Sequence, residues 1–354
     1  MKPDWKNFLE HAGAEFEDLA VASFGNPERE RRVTVTGDVL CDLSHFGLIS
    51  VHGEDATDFL QGQFSNDVAQ VGAEHSQLSS YCTPKGRMLA NFRLFKIGDT
   101  YYLRLPQTLV EPTLKRLRMF VMRSQVTLEN ADDALSRIGW SGPNAATELS
   151  TALGGVAVPE TPDETLSHDE LSVLRVPGIH PRFEIYGQLE AVQRLWDRLN
   201  VHGAPVGAAC WGLLNVLAGI PTVYPQTSEA FVPQMANMEL IGGVSFQKGC
   251  YPGQEIVART QYLGNLKRRM YRVHIDLEET VPGQEIVDAA KGETGMVGRL
   301  VEGYRHPDGG IEGLAVLQIK SVEEDADLRL DTAKGLRVRV SPPPYPLAAA
   351  DDGT

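Results

Sequence analysis

Cys250 is the residue of this sequence whose setting best suits covalent or redox chemistry. It lies in the segment 246–259, FQKGCYPGQEIVAR, where two glycines and a proline specify a tight backbone. Helix-like composition begins at Gln254, so we expect Cys250 to precede a helix N-terminus and to stand beside Lys248. Both features stabilise a thiolate. The segment therefore predicts a reactive thiol at Cys250 assisted by Lys248, with an inert buried cysteine as the alternative reading.

Other common catalytic signatures are absent from the sequence. It contains no G-x-S-x-G, no G-x-x-x-x-G-K-[ST], no H-E-x-x-H and no G-x-G-x-x-G. The four cysteines, Cys41, Cys82, Cys210 and Cys250, are far apart and form neither a C-x-x-C pair nor a metal-type spacing with histidine. We therefore expect no resident metal site, and a reducing compartment.

Composition limits the class of protein. The chain has 354 residues, 42% of them hydrophobic, which predicts two or three folded domains rather than global disorder. Its formal net charge of -14 disfavours non-specific nucleic-acid binding, so no direct nucleic-acid binding is expected. The N-terminus lacks the pattern of a secretory signal, and no apolar run reaches membrane-spanning length. These features predict a cytoplasmic protein with no membrane partner.

Hydrophobic periodicity and turn residues predict an α+β fold. In the first part we expect strands at 47–52, 77–82, 88–96, 100–105 and 125–129, with helices at 54–63 and 107–123. In the second part we expect a surface loop at 154–169, strands at 171–176 and 182–186, and helices at 189–199, 208–218 and 254–260. Short alternating runs at 270–275, 284–287, 294–301, 311–319 and 336–340 are typical of a small C-terminal β-barrel. The alternation of the first part resembles ferredoxin-like α/β layers.

This organisation predicts four consecutive parts. They are an N-terminal α+β part at 1–130, a second α+β part at 131–265 that ends in the cysteine motif, a β-barrel at 266–345, and a flexible tail at 346–354. The tail follows three successive prolines and consists of small and acidic residues.

The cysteine motif resembles the signature of the YgfZ family. K-G-C-Y-x-G-Q-E is present at 248–255, and FVPQMANM at 231–238, VAR at 257–259 and NDV at 66–68 also match the pattern of that family. Weaker similarity extends from about Asp42 to the C-terminal strands. The resemblance implies a relative of the glycine-cleavage T-protein, an aminomethyltransferase, with three domains around a central channel that accepts a folate. It also implies a role in making or maintaining iron–sulfur proteins and a link to tRNA thiomodification.

By the same resemblance the expected cofactor is tetrahydrofolate, and the expected partners are iron–sulfur client or assembly proteins. The candidate folate contacts are Asn66, Asp67, Asn91, Asn215, Gln234, Asn237, Tyr251, Gln254, Glu255 and Arg259. Local cations suit the glutamate carboxylates of a folate: Lys85, Arg87, Arg259, Lys267, Arg268, Arg269 and Arg272. A transient iron–sulfur cluster bridged by Cys250 and outside ligands is a second cofactor hypothesis.

The sequence departs from the T-protein pattern at two positions. T-proteins carry a catalytic aspartate in the stretch that matches 85–91, where this chain has no acid. They also carry a glutamate before an Ala-Gly pair, where this chain has Leu217, with Asn215 nearby as a substitute hydrogen-bonding group. We therefore favour a folate-binding accessory protein acting through Cys250. A folate-dependent aminomethyl- or methyltransferase and a single-cysteine thiol oxidoreductase remain alternatives, so whether the chain is an enzyme stays open.

Overall fold

A computed structural model describes residues 1–262 and 266–347 of the chain. The chain divides into two compact units, each assembled from separate stretches of sequence. Unit 1 comprises Met1–Leu60, Val68–Gln77 and Phe92–Leu214. Unit 2 comprises Gln61–Asp67, Leu78–Asn91 and the described residues from Asn215 onward. The four consecutive parts expected from the sequence stay a prediction.

The helices and strands follow one another in mixed order. The helices are α1 Pro3–His11, α2 Pro27–Thr36, α3 Ala56–Gln61, α4 Gln107–Arg118, α5 Ala145–Ala152, α6 Leu189–Leu199, α7 Ala208–Leu217, α8 Gln254–Tyr262 and α9 Ile319–Glu323. The first strands are β1 Glu15–Glu17, β2 Ala20–Ser23, β3 Val39–Asp42, β4 Phe46–His52, β5 Gln77–Cys82, β6 Met88–Ile97, β7 Thr100–Pro106, β8 Thr127–Asn130 and β9 Ser136–Ser141. The others are β10 Thr165–His168, β11 Leu171–Val176, β12 Arg182–Gly187, β13 Ala204–Val206, β14 Arg268–Ile275, β15 Glu285–Asp288, β16 Met296–Arg305, β17 Ile311–Gln318, β18 Leu328–Leu330 and β19 Val338–Ser341. Short 3-10 turns lie at Val68–Gln70, Pro225–Thr227, Pro233–Ala236 and Ala289–Thr294.

A six-stranded sheet forms the larger part of unit 1, in the order β10-β11-β12-β9-β3-β13. Its pairs are antiparallel except for β13 with β3, which run parallel. Helix α6 packs on it because Val192, Leu195, Trp196 and Leu199 recur at helical spacing and are buried. Trp140 of β9 lies in the same core cluster. This amphipathic pattern explains why the predicted bounds of α6 match the observed ones.

A five-stranded sheet has the strand order β5-β6-β7-β4-β8. Within unit 1, a buried ion pair joins strand β7 of this sheet to strand β12 of the six-stranded sheet. Arg104 of β7 donates to both carboxylate oxygens of Glu184 of β12, at 3.2 and 2.8 Å. Tyr186 donates its hydroxyl to the same carboxylate. The arginines lower the pKa of Glu184 against the effect of its burial, so the buried carboxylate stays charged and paired.

The C-terminal strands of unit 2 form a curled, six-stranded antiparallel half-barrel in the order β18-β15-β16-β17-β14-β19. Its interior is apolar, with Val273, Ile286, Leu300 and Leu317 buried. The expected α+β fold with a small C-terminal β-barrel is therefore confirmed, the barrel taking this open form. Among the described residues, no helix is long and apolar enough to cross a membrane.

Three sequence-based expectations need correction or restriction. The helix expected at 107–123 ends at Arg118, and the next residues form turns. The loop expected at 154–169 contains strand β10, because Thr165–His168 pairs with β11. The tail at 346–354 lies outside the described residues except for positions 346 and 347, so its flexibility stays a prediction.

Candidate functional site

The loop that carries Cys250 is held against the β5–β6 hairpin inside unit 2. The hairpin turn is closed by hydrogen bonds from Thr83 N to Arg87 O, at 2.8 Å, and from Gly86 N to Thr83 O, at 2.9 Å. Gly86 and Gly253 both have positive φ, at 68° and 83°. A Cβ added to Gly253 would lie 2.7 Å from both the Cα and the amide nitrogen of Gly86. The two backbones therefore meet directly, and only glycine permits this approach.

Cys250 differs from the other three cysteines in its exposure. All four lie within the described residues; Cys250 is exposed, and Cys41, Cys82 and Cys210 are buried. Burial raises the pKa of Cys82 to about 12 and that of Cys210 to about 11, and it raises the pKa of Cys41 well above its usual value. The buried three therefore remain protonated thiols at neutral pH. Reagents and partners in solution have access to Cys250.

Lys248 is an anchor for this loop. Its side chain is 9% exposed, and its Nζ donates to the carbonyl oxygens of Gln61 and Phe64, both at 2.6 Å. The ammonium also lies 5.1 Å from the centre of the Tyr251 ring. Burial lowers the pKa of Lys248 to about 8, although the nearby Asp67 carboxylate acts in the opposite direction. These contacts engage the ammonium with carbonyls and a ring face, and its expected assistance to the Cys250 thiol stays a prediction.

Asn66 and Asp67 fix the segment that holds Lys248. Asn66 Nδ2 donates to Leu78 O at 2.8 Å and to Gly242 O at 2.7 Å, and Asn66 Oδ1 accepts from the Asp67 amide at 2.9 Å. The Asp67 carboxylate accepts from Gln61 Nε2 at 2.8 Å. Asn66 is buried and Asp67 is half-buried. The amide of Asn66 therefore ties three backbone segments together.

Gln234 and Asn237 bind neighbouring backbone. Gln234 Nε2 donates to Val257 O of α8 at 2.6 Å, and its buried Oε1 has no hydrogen-bond partner in the described structure. Asn237 Nδ2 donates to Met270 O of β14 at 2.9 Å. Asn237 adopts φ 58°, a left-handed conformation that asparagine tolerates better than most residues. Gln234 thus positions α8, and Asn237 positions the first strand of the half-barrel.

Asn91 and Asn215 are also buried. Asn91 Nδ2 donates to Pro221 O at 2.7 Å, and its Oδ1 accepts from the Val223 amide at 2.8 Å. The side-chain amide thus closes a ring with the backbone of 221–223. Such a pair of bonds needs one donor and one acceptor on the same side chain, which an aspartate lacks near neutral pH.

The remaining candidates are close in sequence to Cys250. Tyr251 is buried, and burial with the neighbouring Cys82 raises the pKa of its hydroxyl. Gln254 Nε2 lies 3.5 Å from Lys248 O, and Glu255 and Arg259 on α8 are exposed. The structure therefore groups Lys248, Cys250, Tyr251 and the first turns of α8 with Asn66 and Asp67.

The cations expected near a folate differ in their availability. Arg87 Nη1 donates to Ala230 O at 2.6 Å. Arg269 forms an ion pair with Glu239 at 2.7 Å, and Arg272 forms one with Glu312 at 2.7 Å. Lys85 and Arg259 are exposed. Carboxylates in solution therefore have ready access to Lys85 and Arg259, while Arg87, Arg269 and Arg272 serve internal contacts.

The fit of a folate to these residues is uneven. Asn66 donates to two backbone carbonyls and Asn237 to a backbone carbonyl and the Tyr345 hydroxyl, so the amide groups of these two residues do not fit a role as pterin donors. The unpartnered Oε1 of Gln234 is an acceptor that suits a ring N–H. Exposed Lys85 and Arg259 suit the glutamate carboxylates. The donor set therefore fits the tail of a folate better than its pterin ring.

Two contacts of the site had no strong signal in the sequence. Tyr345, after the prolines and immediately before the expected flexible tail, donates its hydroxyl to Gly219 O at 2.8 Å. Cys82 lies near Tyr251, although the two residues are 169 positions apart in the sequence. An aromatic residue after a proline run was the available signal for Tyr345. Within 1–262 and 266–347, no three metal-ligating side chains converge.

Comparison with solved structures defines the class of fold. The chain superposes on an aminomethyltransferase T of the glycine cleavage system from Bartonella henselae with a TM-score of 0.77, 17% identity and 94% coverage of both chains. A family profile described as the GCVT N-terminal domain matches residues 10–242. The structure thus has the T-protein fold expected from the sequence.

Curated relatives narrow the family. A tRNA-modifying protein YgfZ from Colwellia psychrerythraea is 30% identical over 279 residues, which cover 78% of this chain and 85% of the relative. The protein of the same name from Yersinia pestis is 30% identical over 311 residues, covering 87% and 93%. That from Escherichia coli is 28% identical over 323 residues, covering 91% and 96%. The chain belongs to the YgfZ family of GCVT-domain proteins.

Proposed function

We propose that this chain is a folate-binding accessory protein that supports the synthesis or repair of iron–sulfur enzymes, including enzymes of tRNA thiomodification, and that it acts in the cytoplasm through Cys250. The observation that carries the proposal is the exposure of Cys250 on a loop whose backbone is fixed by Lys248 and by the contact of Gly253 with Gly86. A thiol presented in this way is accessible to a partner while its position is retained. The name of the curated relatives, tRNA-modifying protein, supports the pathway.

The folate part of the proposal is supported by the fold and by the exposed cations. Folates carry one or more glutamate carboxylates, which Lys85 and Arg259 can hold from solution. Cys250 is exposed in the loop that leads into α8, the helix that carries Arg259. The same exposure suits donation of the thiolate to a transient cluster whose other ligands come from a client protein.

Calorimetry with tetrahydrofolate and with its polyglutamate form tests folate binding. We expect binding that strengthens with tail length and weakens at high salt, because the tail contacts are electrostatic. Arg259→Gln should remove most of the gain from the longer tail. Arg194→Gln, which changes an exposed arginine paired with Glu170, is the matched control. Absence of binding at millimolar ligand would reject the folate assignment.

A deletion strain tests the cellular role. We expect lower activity of several iron–sulfur enzymes and less thiolated tRNA in the deletion strain, with recovery on expression of the wild-type chain. Recovery by Cys250→Ala would contradict the role of the thiol. Unchanged enzyme activities and unchanged tRNA thiolation would reject the accessory function itself.

A further inference from the structure

An apolar tip projects from unit 1 at the end of α4. Met119, Phe120 and Met122 are 61%, 43% and 89% exposed. They stand within four consecutive residues, at the point where the sequence pattern had predicted continued helix. We call these residues the 119–122 tip. Single exposed apolar side chains are ordinary on protein surfaces, whereas three large ones within four residues are a feature of interaction surfaces.

The backbone holds Met122 outward at an energetic cost. Met122 has φ 41°, in the left-handed region that side chains with a Cβ rarely occupy. Such conformations are energetically unfavourable and persist where the surrounding structure imposes them. Hydrogen bonds from Phe120 N to Leu117 O and from Ser124 N to Val121 O fix the turns on both sides. The tip is therefore a shaped element of the fold.

The charge around the tip is opposite in sign to that of the whole protein. Residues 115–124 contain four cations and no acid, in a chain of net charge -14. Of these cations, Lys115, Arg118 and Arg123 are exposed. Arg118 also donates to Leu128 O at 2.8 Å, which fixes its position beside the tip. Exposed cations therefore flank the apolar tip on both sides in the sequence.

We propose that the 119–122 tip docks into an apolar pocket of a partner protein whose pocket rim is acidic. The cations around the tip are complementary in charge to an acidic rim. The two methionines favour an apolar pocket, because flexible thioether side chains adapt to concave apolar surfaces. A single exposed aromatic ring provides little stacking for a nucleic acid. The surface is small, so the complex is a transient one.

In-cell photo-crosslinking identifies the partner. A photoreactive amino acid replaces Met122 in the full chain, and the control places it at Val201, an isolated apolar position that is 74% exposed. We expect one acidic protein to be crosslinked from position 122 and not from position 201. No specific crosslink at position 122 would overturn the proposal.

Binding by purified proteins then tests the chemistry. Met119→Ser with Met122→Ser should weaken binding of the crosslinked partner by about tenfold or more, because the double variant removes both apolar anchors of the tip. Lys115→Gln with Arg123→Gln should weaken it and reduce its salt dependence. Val201→Ser should leave it unchanged. Equal binding by wild type and both double variants would overturn the proposal.

Two further arms exclude other occupants. Vesicles of phosphatidylcholine and phosphatidylglycerol, and a single-stranded RNA oligomer, should not bind the wild-type chain through the tip. If the wild-type chain binds the vesicles or the RNA and the Met119→Ser, Met122→Ser double variant does not, the proposal of a protein partner is overturned. The inference goes beyond the proposed function and is separable from it: the tip variants should bind tetrahydrofolate as the wild type does.

Discussion

Gly253 and Gly86 lie in backbone contact, with the Cβ position of Gly253 only 2.7 Å from Gly86 Cα. This contact joins the first turn of α8 to the β5–β6 hairpin and so fixes one end of the Cys250 loop. Lys248 fixes the other end through the carbonyl oxygens of Gln61 and Phe64. The loop is thus held on both sides of an exposed thiol.

Gly253→Ala should destabilise the protein by roughly 2 to 5 kcal/mol. The left-handed φ of 83° costs about 1 to 2 kcal/mol for a residue with a Cβ, and overpacking against the hairpin adds about 1 to 3 kcal/mol. Chemical denaturation measures the loss. Gly249→Ala is the matched control in the same loop, because its Cβ would meet nothing within 4 Å. Equal stability of the two variants would contradict the backbone contact.

Cys250→Ala should abolish complementation of a deletion strain while it changes the free energy of unfolding by less than about 0.5 kcal/mol, as is usual for exposed positions. Cys82→Ala should lower the free energy of unfolding, because the residue is buried and its replacement leaves a cavity, while complementation is retained. Thermal unfolding and complementation separate the two effects. Normal complementation by Cys250→Ala would show that the thiol is dispensable.

Lys248→Met should change how stability depends on pH. The folded-state pKa of Lys248 is lowered from 10.5 to about 8, so the unfolded chain binds more protons between these values. The Lys248 contribution to the free energy of unfolding therefore rises as pH increases from about 8 to 10.5. The free energy of unfolding of the wild type, relative to that of Lys248→Met, should rise across this window of 2.5 pKa units by roughly 3.5 kcal/mol, since one pKa unit corresponds to about 1.4 kcal/mol.

Denaturant titrations at several pH values measure this difference, and subtraction of the variant removes the titration of other groups. A constant difference between pH 7 and 10.5 would mean that Lys248 is not desolvated.

The chain should not catalyse glycine-cleavage aminomethyl transfer. A positioned acid or base contributes about a hundredfold to ten-thousandfold to such a step, and Asn91, in the matching strand, spends its amide on Pro221 O and Val223 N. The assay supplies aminomethylated lipoyl carrier protein and tetrahydrofolate and measures ammonia. Turnover near that of a T-protein would contradict this expectation. Asp67→Asn would then show whether Asp67 is the missing carboxylate, because only in that case does turnover disappear.

Tyr345→Phe should destabilise the protein by about 1 kcal/mol, the net value of a typical buried hydrogen bond. The variant loses the hydroxyl that donates to Gly219 O and accepts from Asn237 Nδ2 at 3.3 Å. Tyr262→Phe, at a residue that is 67% exposed, is the control and should be neutral. Equal stability of wild type and Tyr345→Phe would mean that the segment after the prolines is not docked in solution.

The sequence by itself determined the family, the α+β fold and the position of the thiol. These follow from local information: the contiguous motif at 248–255, the helical spacing of Leu189–Leu199, and the alternation that predicts β5, β6 and β11. The predicted and observed ends of an element differ where tertiary contacts override periodicity. An example is α4, which ends at Arg118 although its apolar pattern continues into the exposed tip.

The tertiary structure decided what each site residue does. Spacing along the chain placed Lys248 two residues from Cys250, but its ammonium binds Gln61 O and Phe64 O, more than 180 residues away in sequence. The asparagines that the resemblance predicts as folate contacts donate to buried backbone carbonyls, which cannot be left without partners, and their contact with a folate stays a prediction. A sequence shows which side chains can form hydrogen bonds. Their partners are set by the distant segments that folding brings together, because a buried polar group takes whichever partner lies within reach.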